Sequence, residues 1–367
     1  MNLFVQFFFT MAIFFAGKRQ PGELPGNKEN WTKNADAAYQ SLIQNFYNTG
    51  GHYFNENNSG GKKFHYWRNA HALDVLTDVY IRTKKKSVKK YMDELVSGMY
   101  IQNGNSYIID YYDDMEWMAL ACIRAFEATG DKKYKDIADL LWIDIKTGWD
   151  DTWGGGFFWN KERKNKNTPA NAPACIIAAR LYQLDHNPAE LAWAKKIYRW
   201  QKDQLVDPAT GLVWDGLDAG GTNKDWKFTY NQGVFIGSGV ELYKITGDEG
   251  YIKDALKTAH HSLSADITKN GILKDEGGGD GGLFKGILVR NLVLLIKDGN
   301  IAEADMKLFG GFLLHNALVL WLQGTSQPGV IFGANWSKKV TNTDTSTQLS
   351  GEMLLEAIVS LGNMERL

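Results

Sequence analysis

The sequence predicts an all-α fold, a closed (α/α)6 barrel of six helical hairpins. Three observations support this prediction. Apolar residues recur at spacings of three and four residues in twelve segments, as expected of helices with a buried face. Strand-like alternation of apolar and polar residues is scarce. Short turns and long loops alternate between the segments, so all the long loops would gather at one end of a ring.

The twelve predicted helices cover most of the chain after residue 30. They span residues 31–48, 68–83, 87–100, 114–129, 132–146, 170–184, 188–204, 229–246, 249–264, 281–297, 301–322 and 345–362. A weak repeat marks the short turns: Gly130-Asp131 and Gly247-Asp248 each place a helix-ending glycine before a helix-capping aspartate. Residues 185–188 form a looser third copy. An open solenoid would show a stricter period and shorter loops.

Length and charge limit the classes of function. The chain has 367 residues, and 44% of them are hydrophobic, enough for a large core. Its 41 Lys and Arg residues against 42 Asp and Glu residues give a net charge of −1, which argues against nucleic acid or an anionic membrane as partner. No linker or change of composition is visible. We therefore predict one catalytic domain over residues 26–367 and expect a monomer.

The N-terminal segment differs from the rest of the chain. Residues 3–16 are almost continuously apolar and are followed by Lys18 and Arg19. This run is too short to span a bilayer comfortably and is typical of a signal-peptide core. We expect residues 1–25 to be an export signal or a disordered N-terminus, and the protein to be periplasmic, held at the cell surface or secreted. No other segment predicts a transmembrane helix.

Aromatic residues and glycines are unusually abundant. The chain has 13 Trp, 16 Tyr, 18 Phe and 38 Gly residues, and many of the tryptophans lie beside Gly and Asp in predicted loops. Flat rings with a polar edge are suited to stacking on sugars. The two cysteines, Cys122 and Cys175, fall on apolar helix faces and are expected to be buried free thiols. No Cys/His spacing typical of a metal site is present, and we predict no metal or cofactor.

Two pairs of adjacent aspartates could carry acid–base chemistry. Asp113-Asp114 opens the fourth predicted helix, and Asp150-Asp151 lies in a loop before three glycines. Glycoside cleavage needs two carboxyl groups, ~5–5.5 Å apart for retention or ~6.5–9.5 Å apart for inversion. Neighbouring residues at a helix start can reach the shorter separation, and their repulsion would keep one of them protonated.

Helix capping is the alternative role for Asp113-Asp114. We favour catalysis because polar and aromatic residues also stand at the starts of the other even-numbered helices. In the predicted barrel, these helix starts would converge on one cleft.

Five motifs, in order along the chain, resemble those of glycoside hydrolase family 76, which comprises endo-acting α-1,6-mannanases and fungal wall-processing relatives. They are Tyr111–Trp117, Gly154–Trp159, Lys166–Ala172, Tyr230–Gly233 and Phe284–Arg290. The motifs lie within residues 30–362, nearly the whole chain. The resemblance implies an (α/α)6 barrel, no metal and retention of anomeric configuration. It also implies that Asp113 is the nucleophile and Asp114 the general acid/base.

The same regions supply candidate substrate-binding residues. We expect Tyr111 and Tyr112 to orient the aspartates or line the adjoining subsite. Candidates for stacking on sugar rings are Trp67, Trp159 and Tyr230, and candidates for hydroxyl contacts are Asn171, Asn231, Gln232 and Arg290. Structural alternatives remain for four of these residues. Trp67 could belong to the core, Asn171 and Asn231 could be helix caps, and Arg290 could pair with an internal acid.

The expected function is retaining hydrolysis of α-1,6-mannosidic bonds within the backbone of mannan. Transglycosylation would use the same covalent intermediate with a sugar as acceptor. A non-catalytic glycan-binding protein on this barrel would tend to lose one of the two acids, and both are present. A sugar epimerase would depend on histidines facing the cavity, for which the loop candidates are His52, His65 and His71. An unsaturated-uronide hydrolase would favour a more basic cleft.

Overall fold

The computed structural model of the protein describes residues 28–362, and it contains twelve α-helices in this range. They are α1 (Lys28–Phe46), α2 (Tyr66–Thr83), α3 (Lys86–Gln102), α4 (Tyr112–Thr129), α5 (Lys132–Ile145), α6 (Ala172–Asp185), α7 (Pro188–Leu205), α8 (Thr229–Thr246), α9 (Glu249–His261), α10 (Gly281–Asp298), α11 (Glu303–Val319) and α12 (Thr345–Gly362). The helical period therefore predicted every helix within a few residues. The expected export signal lies outside the described residues.

The even-numbered helices form a closed inner ring. Each of them packs against the next even-numbered helix, and α12 packs against α2. The outer helices α3, α5, α7, α9 and α11 each pack on the inner helix that precedes them in the chain. This arrangement confirms the predicted (α/α)6 barrel.

The sixth helix pair differs from the other five. The described chain begins with an outer helix, α1, and ends with an inner helix, α12, and these two pack together. The sixth pair therefore joins the two ends of the described chain instead of two consecutive helices.

The short turns have the geometry that the repeat predicts. Gly130 ends α4 in the left-handed region at φ 72°, and Asp131 then accepts a hydrogen bond from the backbone N–H of Lys133. Gly247 ends α8 at φ 68°, and Asp248 accepts from the backbone N–H of Gly250 at 2.8 Å. Each turn closes one helical hairpin and leaves the next inner helix to begin at the opposite end of the barrel.

Seven short strands stiffen the long loops. They are β1 (Tyr47–Asn48), β2 (Tyr53–Phe54), β3 (Lys166–Asn167), β4 (Gly216–Asp218), β5 (Gly221–Thr222), β6 (Thr268–Lys269) and β7 (Ile272–Leu273). They pair antiparallel as β1–β2, β3–β4–β5 and β6–β7. The loops that carry them lead into the inner helices, so they lie at the end of the barrel where those helices begin. We call this end the loop end.

Close approach of α10 and α12 requires a glycine in α10. A Cβ atom on Gly286 would lie 2.6 Å from the sulfur of Met353 and 2.9 Å from the Cα of Ser350. The backbone N–H of Gly286 also donates to the Ser350 hydroxyl at 3.0 Å. The two helices can keep this separation only while residue 286 lacks a side chain.

We expect Gly286→Ala to lower the free energy of unfolding by about 1–2 kcal/mol, because overpacking outweighs the better helix propensity of alanine. Urea denaturation followed by circular dichroism would measure the change. Gly311→Ala in α11 is the matched control, since a Cβ there meets no atom within 4 Å. It should stabilise the protein by about 0.5–1 kcal/mol. Equal effects of the same sign at both positions would contradict the packing argument.

Both cysteines are buried and unpaired, as predicted. Between residues 28 and 362, the helices are too short or too polar to cross a bilayer.

Candidate active site

The adjacent aspartates Asp113 and Asp114 lie in the first turn of α4, at the loop end of the barrel. The helix begins after Tyr111, whose backbone is extended, and no side chain caps it. The positive end of the helix dipole favours an ionised carboxylate at this position. The two aspartates therefore do not act as N-caps, although they occupy the turn in which negative charge is stabilised.

Asp113 is held by two hydrogen bonds. Its Oδ1 accepts from the backbone N–H of Asp114 at 2.9 Å, and its Oδ2 accepts from the indole Nε1 of Trp159 at 2.9 Å. The residue is only 9% exposed. Asp114 is half-buried, and within residues 28–362 no hydrogen bond to its carboxyl group is found. Asp113 is thus fixed in place, whereas the carboxyl group of Asp114 is available to a ligand.

The electrostatic environment separates the two acids. Burial raises the pKa of Asp113 from 3.8 to about 7, although the hydrogen bonds from Trp159 and Asp114 oppose the shift. Burial raises the pKa of Asp114 well above its usual value, and the neighbouring charges of Asp113 and Asp280 add to the effect. The two hydrogen bonds to Asp113 favour its ionised form, so the geometry favours Asp113 as the charged member of the pair and Asp114 as the protonated member.

A third acid, Asp215, faces this pair and was not predicted from the sequence. The hydroxyl of Tyr230 and the Nδ2 of Asn231 both donate to its Oδ1, at 2.8 and 3.0 Å. Its charge contributes to raising the pKa of Asp113, so the two carboxyl groups are near each other. Asp215 lies in the long loop before α8, in the sequence Trp214-Asp215-Gly216. The sequence predicted Tyr230 and Asn231 as site residues, and their polar groups bind Asp215.

A fourth acid, Asp280, precedes α10 and connects it to α2. Its Oδ1 accepts from the indole of Trp67 at 3.0 Å and from the guanidinium of Arg68 at 3.2 Å. The charge of Asp280 helps to raise the pKa of Asp114. Trp67 is therefore fixed by its polar edge, and it is partly buried and packs against the rim of the hydrophobic core.

Two aromatic residues flank the nucleophile candidate. Trp159 donates to Asp113, and its ring centroid lies 5.1 Å from that of Tyr111 in an edge-on arrangement. Tyr111 is 40% exposed, so part of its side chain is open to a ligand. On the other side of the site, Tyr230 stacks on Phe284 with centroids 4.0 Å apart, so one face of Tyr230 is already covered.

Three predicted substrate-binding residues are instead occupied by the protein. Tyr112 is buried, and its ring packs against Gly148. Asn171 is fully buried, and its amide pairs with both the N–H and the C=O of Phe157. Gln232 is fully buried and pairs in the same way with Val213. The buried amides of Asn171 and Gln232 brace the loops of the site and are too deep to touch a ligand, which corrects their predicted role. Tyr112 is too buried to line a subsite, and its other expected role, orienting the aspartates, stays a prediction.

Arg290 is also occupied, as the alternative interpretation of the sequence allowed. Its Nε lies 2.8 Å from Asp74, and its Nη2 lies 2.8 Å from Asp78. Arg124 pairs with the same two aspartates. These side chains line a cavity of about 370 Å³ inside the inner ring, toward the end opposite the loops. Arg290 is therefore part of an internal ion-pair cluster and not of the site at Asp113.

The rival pair, Asp150 and Asp151, has a different environment. Asp151 is exposed and accepts from the indole of Trp149 at 3.1 Å, and Asp150 accepts from the backbone N–H of Thr152 at 2.7 Å. The pKa of Asp150 is lowered, chiefly by its hydrogen bonds to Thr152. This pair shapes its own loop, and it lacks the burial that would keep one carboxyl group protonated.

Across residues 28–362, the His, Cys, Asp and Glu side chains form no group of three suited to holding a metal ion.

Comparison with known proteins points to one family. The sequence profile of glycosyl hydrolase family 76 matches residues 30–364. An α-1,6-mannanase of Salegentibacter sp. HEL1_6 is 42% identical, with a TM-score of 0.88 over 90% of this chain and 99% of that one. One of its structures is an inactive variant with two consecutive aspartates replaced by asparagine, in complex with α-1,6-mannotriose. A Listeria innocua protein is 38% identical, with a TM-score of 0.85 over 91% of this chain and 98% of that one.

More distant relatives are fungal. A mannan endo-1,6-α-mannosidase of Candida glabrata is 26% identical over 242 residues, which cover 59% of this chain and 53% of that protein. A Saccharomyces cerevisiae protein of the same description is 27% identical over 228 residues, 55% of this chain and 50% of its own length. The chain thus spans about half the length of the curated relatives it matches.

Proposed function

Because the chain belongs to glycosyl hydrolase family 76, we propose that it is an endo-acting mannanase that hydrolyses α-1,6-mannosidic bonds in the backbone of mannan. The observation that carries this proposal is the pair at the loop end of the barrel, the buried Asp113 and the half-buried Asp114. The similar mannanase of Salegentibacter is inactive when two consecutive aspartates are replaced. This chain has two such pairs within the described residues, and only Asp113-Asp114 has pKa values that are both raised.

The proposed mechanism is a double displacement with retention of configuration. Asp114 donates its proton to the leaving 6-oxygen while the ionised Asp113 attacks the anomeric carbon, forming a mannosyl-enzyme. Asp114, now ionised, takes a proton from water, which attacks the anomeric carbon and releases Asp113. The hydrogen bonds that Asp113 accepts from Trp159 and from the N–H of Asp114 support these roles, since they favour the ionised form that the nucleophile needs.

The surrounding side chains would position the sugar. Tyr111 offers exposed surface next to the nucleophile, and Trp67 is fixed by Asp280, whose charge acts on Asp114. Both recorded donors to Asp215 reach Oδ1, which leaves Oδ2 for a sugar hydroxyl. We propose that Asp215 takes the hydroxyl-binding role that the sequence suggested for Asn231, and that Asn231 and Tyr230 act by holding it.

Hydrolysis of debranched α-1,6-mannan is the direct test. Chromatography of the products should show a ladder of oligosaccharides from the earliest times, because an endo-acting enzyme cuts inside the chain. Proton NMR of the first product should show the α-anomer, since retention is expected. Folded protein that releases nothing from this substrate would refute the proposal. Products longer than the starting oligosaccharide would instead identify transglycosylation.

The activity should depend on pH in a way that the two acids set. Asp113 must be ionised, so kcat/KM should rise with pH through the pKa of Asp113, which is about 7. Asp114 must be protonated, so kcat/KM should fall again above its raised pKa. Measured on α-1,6-mannotetraose, the acid limb should lie near pH 7. An acid limb near pH 4 would show that Asp113 ionises normally and is not the buried nucleophile.

We further propose that the protein acts outside the cytoplasm. The substrate is a polymer, and the apolar run at residues 3–16 has the composition of an export signal. N-terminal sequencing of the protein from its native cells should find the chain cleaved near residue 25. A mature protein that retains residues 1–25 and stays in the cytoplasm would contradict this expectation.

A further inference from the structure

Lys166 is a buried cation whose partners are almost all backbone carbonyls. Its side chain is 0% exposed. Its Nζ donates to the carbonyl oxygens of Asp150, Thr152 and Gly155 at 2.7, 2.6 and 2.8 Å, which uses all three N–H groups of an ammonium. The nearest carboxylate oxygen, on Asp150, is 3.9 Å away. Burial lowers the pKa of Lys166 to about 8, with the charge of Asp150 opposing the shift.

The three carbonyls belong to a tight loop in which the C=O of Thr152 also accepts from the backbone N–H of Gly155, at 3.4 Å. Trp153 and the three glycines that follow it all have positive φ, at 56°, 79°, 119° and 93°. Side chains also enclose Gly155 and Gly156: a Cβ would lie 2.7 Å from Trp149 at the first and 2.5 Å from Trp200 at the second. A side chain at either glycine would therefore clash, and the three hydrogen bonds from Lys166 hold the carbonyls of the loop in this conformation.

The backbone pairing of residues 158–159 with residues 165–166 sets the position of Trp159. Phe158 pairs with Lys166 through the backbone, and the N–H of Trp159 donates to the C=O of Asn165 at 2.9 Å. The C=O of Trp159 accepts from the N–H of Tyr112 at 2.9 Å, which joins the hairpin to the start of α4. The ammonium of Lys166 also lies 4.6 Å from the ring centroid of Phe158. Lys166 thus holds Phe158, the residue before Trp159, and the loop of residues 150–155 that leads to it.

We propose that Lys166 is a positioning residue for the nucleophile: it holds the loop of residues 150–155 so that Trp159 can donate its hydrogen bond to Asp113. The inference rests on the proposed function for its kinetic consequences. The indole N–H stabilises the ionised form of Asp113, which is the form that attacks. Loss of Lys166 would misplace that donor, although neither Lys166 nor the loop it holds touches Asp113.

Four variants test this role. Lys166→Met removes the ammonium, and Lys166→Gln keeps a smaller N–H donor in case the first variant folds poorly. Trp159→Phe removes the donated hydrogen bond directly, and the double variant Lys166→Met/Trp159→Phe tests whether the two residues act together. Lys164→Met is the matched control, because Lys164 is exposed and its ion pair is with Glu162 alone. Kinetics use α-1,6-mannotetraose over a range of pH.

We expect Lys166→Met to lower kcat by about 10- to 100-fold with a smaller change in KM, since small misplacements at a reacting centre have effects of this size. The acid limb should move up by about one pH unit, as in Trp159→Phe. The double variant should have a kcat no lower than that of the less active single variant. Lys166→Gln should recover part of the kcat lost in Lys166→Met. Lys164→Met should behave as the wild type.

Three results would overturn the proposal. The first is an acid limb that Lys166→Met leaves unmoved. The second is losses that multiply in the double variant, which would mean that the residues act independently. The third is a failure of both Lys166 variants to fold, which would make Lys166 a requirement of the fold.

The ¹⁵N-indole NMR signal of Trp159 reports on its hydrogen bond to Asp113 without requiring catalytic turnover. Its hydrogen exchange should accelerate in Lys166→Met and stay unchanged in Lys164→Met. An unchanged exchange rate in folded Lys166→Met refutes the positioning role even if the wild type proves inactive on mannan. An inactive wild type refutes the proposed function alone.

Discussion

Asp113→Asn and Asp114→Asn are each expected to lower kcat/KM on debranched α-1,6-mannan by more than about 10³-fold. The first variant removes the nucleophile and the second removes the general acid, and neither group has a replacement at the same position. Initial rates of reducing-end release would measure the loss. Asp151→Asn is the control, because Asp151 belongs to the exposed second pair of consecutive aspartates. It should retain activity within about threefold.

The raised pKa of Asp113 also predicts the stability of the Asp113→Asn variant. The pKa of Asp113 is about 7 in the folded protein, against an ordinary value of 3.8 for an unfolded chain. Ionisation of Asp113 therefore lowers the free energy of unfolding as the pH rises from about 4 to about 7. Asparagine does not ionise. At pH 8, Asp113→Asn should therefore unfold at a denaturant concentration no lower than that of the wild type. An inactive variant that is also unfolded would not support a catalytic role, and a large loss in Asp151→Asn would move the assignment to the loop pair.

Arg124→Met is expected to lower the free energy of unfolding by about 3 kcal/mol. Burial alone would raise the pKa of Asp74, but the guanidinium groups of Arg124 and Arg290 lower it to about 2. Arg124 also pairs with Asp78. Its removal leaves one guanidinium, that of Arg290, between two carboxylates. The expected loss is at the lower end of the range for broken buried pairs because Arg290 remains.

Guanidinium denaturation would measure this loss. Lys253→Met is the control, because Lys253 forms an exposed i,i+4 pair with Glu249 and its removal should change stability by less than about 0.5 kcal/mol. A change below about 1 kcal/mol in Arg124→Met would show that water solvates the cluster well. Water in the cavity that these side chains line would then stabilise the charges about as well as the lost ion pair did.

The sequence predicted the ring of helices because the period of three and four residues and the capping turns are local signals. It also indicated Asp113, Asp114, Tyr111, Trp159 and Trp67 as candidate residues of the site, and their roles stay predictions. Asn171 and Gln232 were misread because an amide near a helix start is equally suited to bracing a loop and to binding a hydroxyl. The partners that decide between these roles, Phe157 and Val213, are 14 and 19 residues away in loops without periodic signals.

Asp215 shows the same limit at a similar separation in the sequence, and Arg290 shows it at a much longer one. Nothing in Trp214-Asp215-Gly216 predicts that Tyr230 and Asn231 will hold the carboxylate, since the contact depends on how the loop folds back over α8. Arg290 lies 212 residues from Asp78 in the chain. Composition indicates that a buried arginine needs an acid, but only the closed ring identifies which one.

The pairing of α1 with α12 has a consequence for biosynthesis. The ring closes through contacts between distant parts of the chain, such as the hydroxyl of Thr345 on the carbonyl of Asn55, 290 residues apart. Asp344 also accepts from the backbone N–H of Gly279, beside Asp280. A nascent chain that still lacks α12 has two unclosed ring edges and an unsupported loop next to the site. Such long-range closure is slow to form and exposes apolar surface until it does, so the barrel should become active only after α12 has been synthesised and has closed the ring.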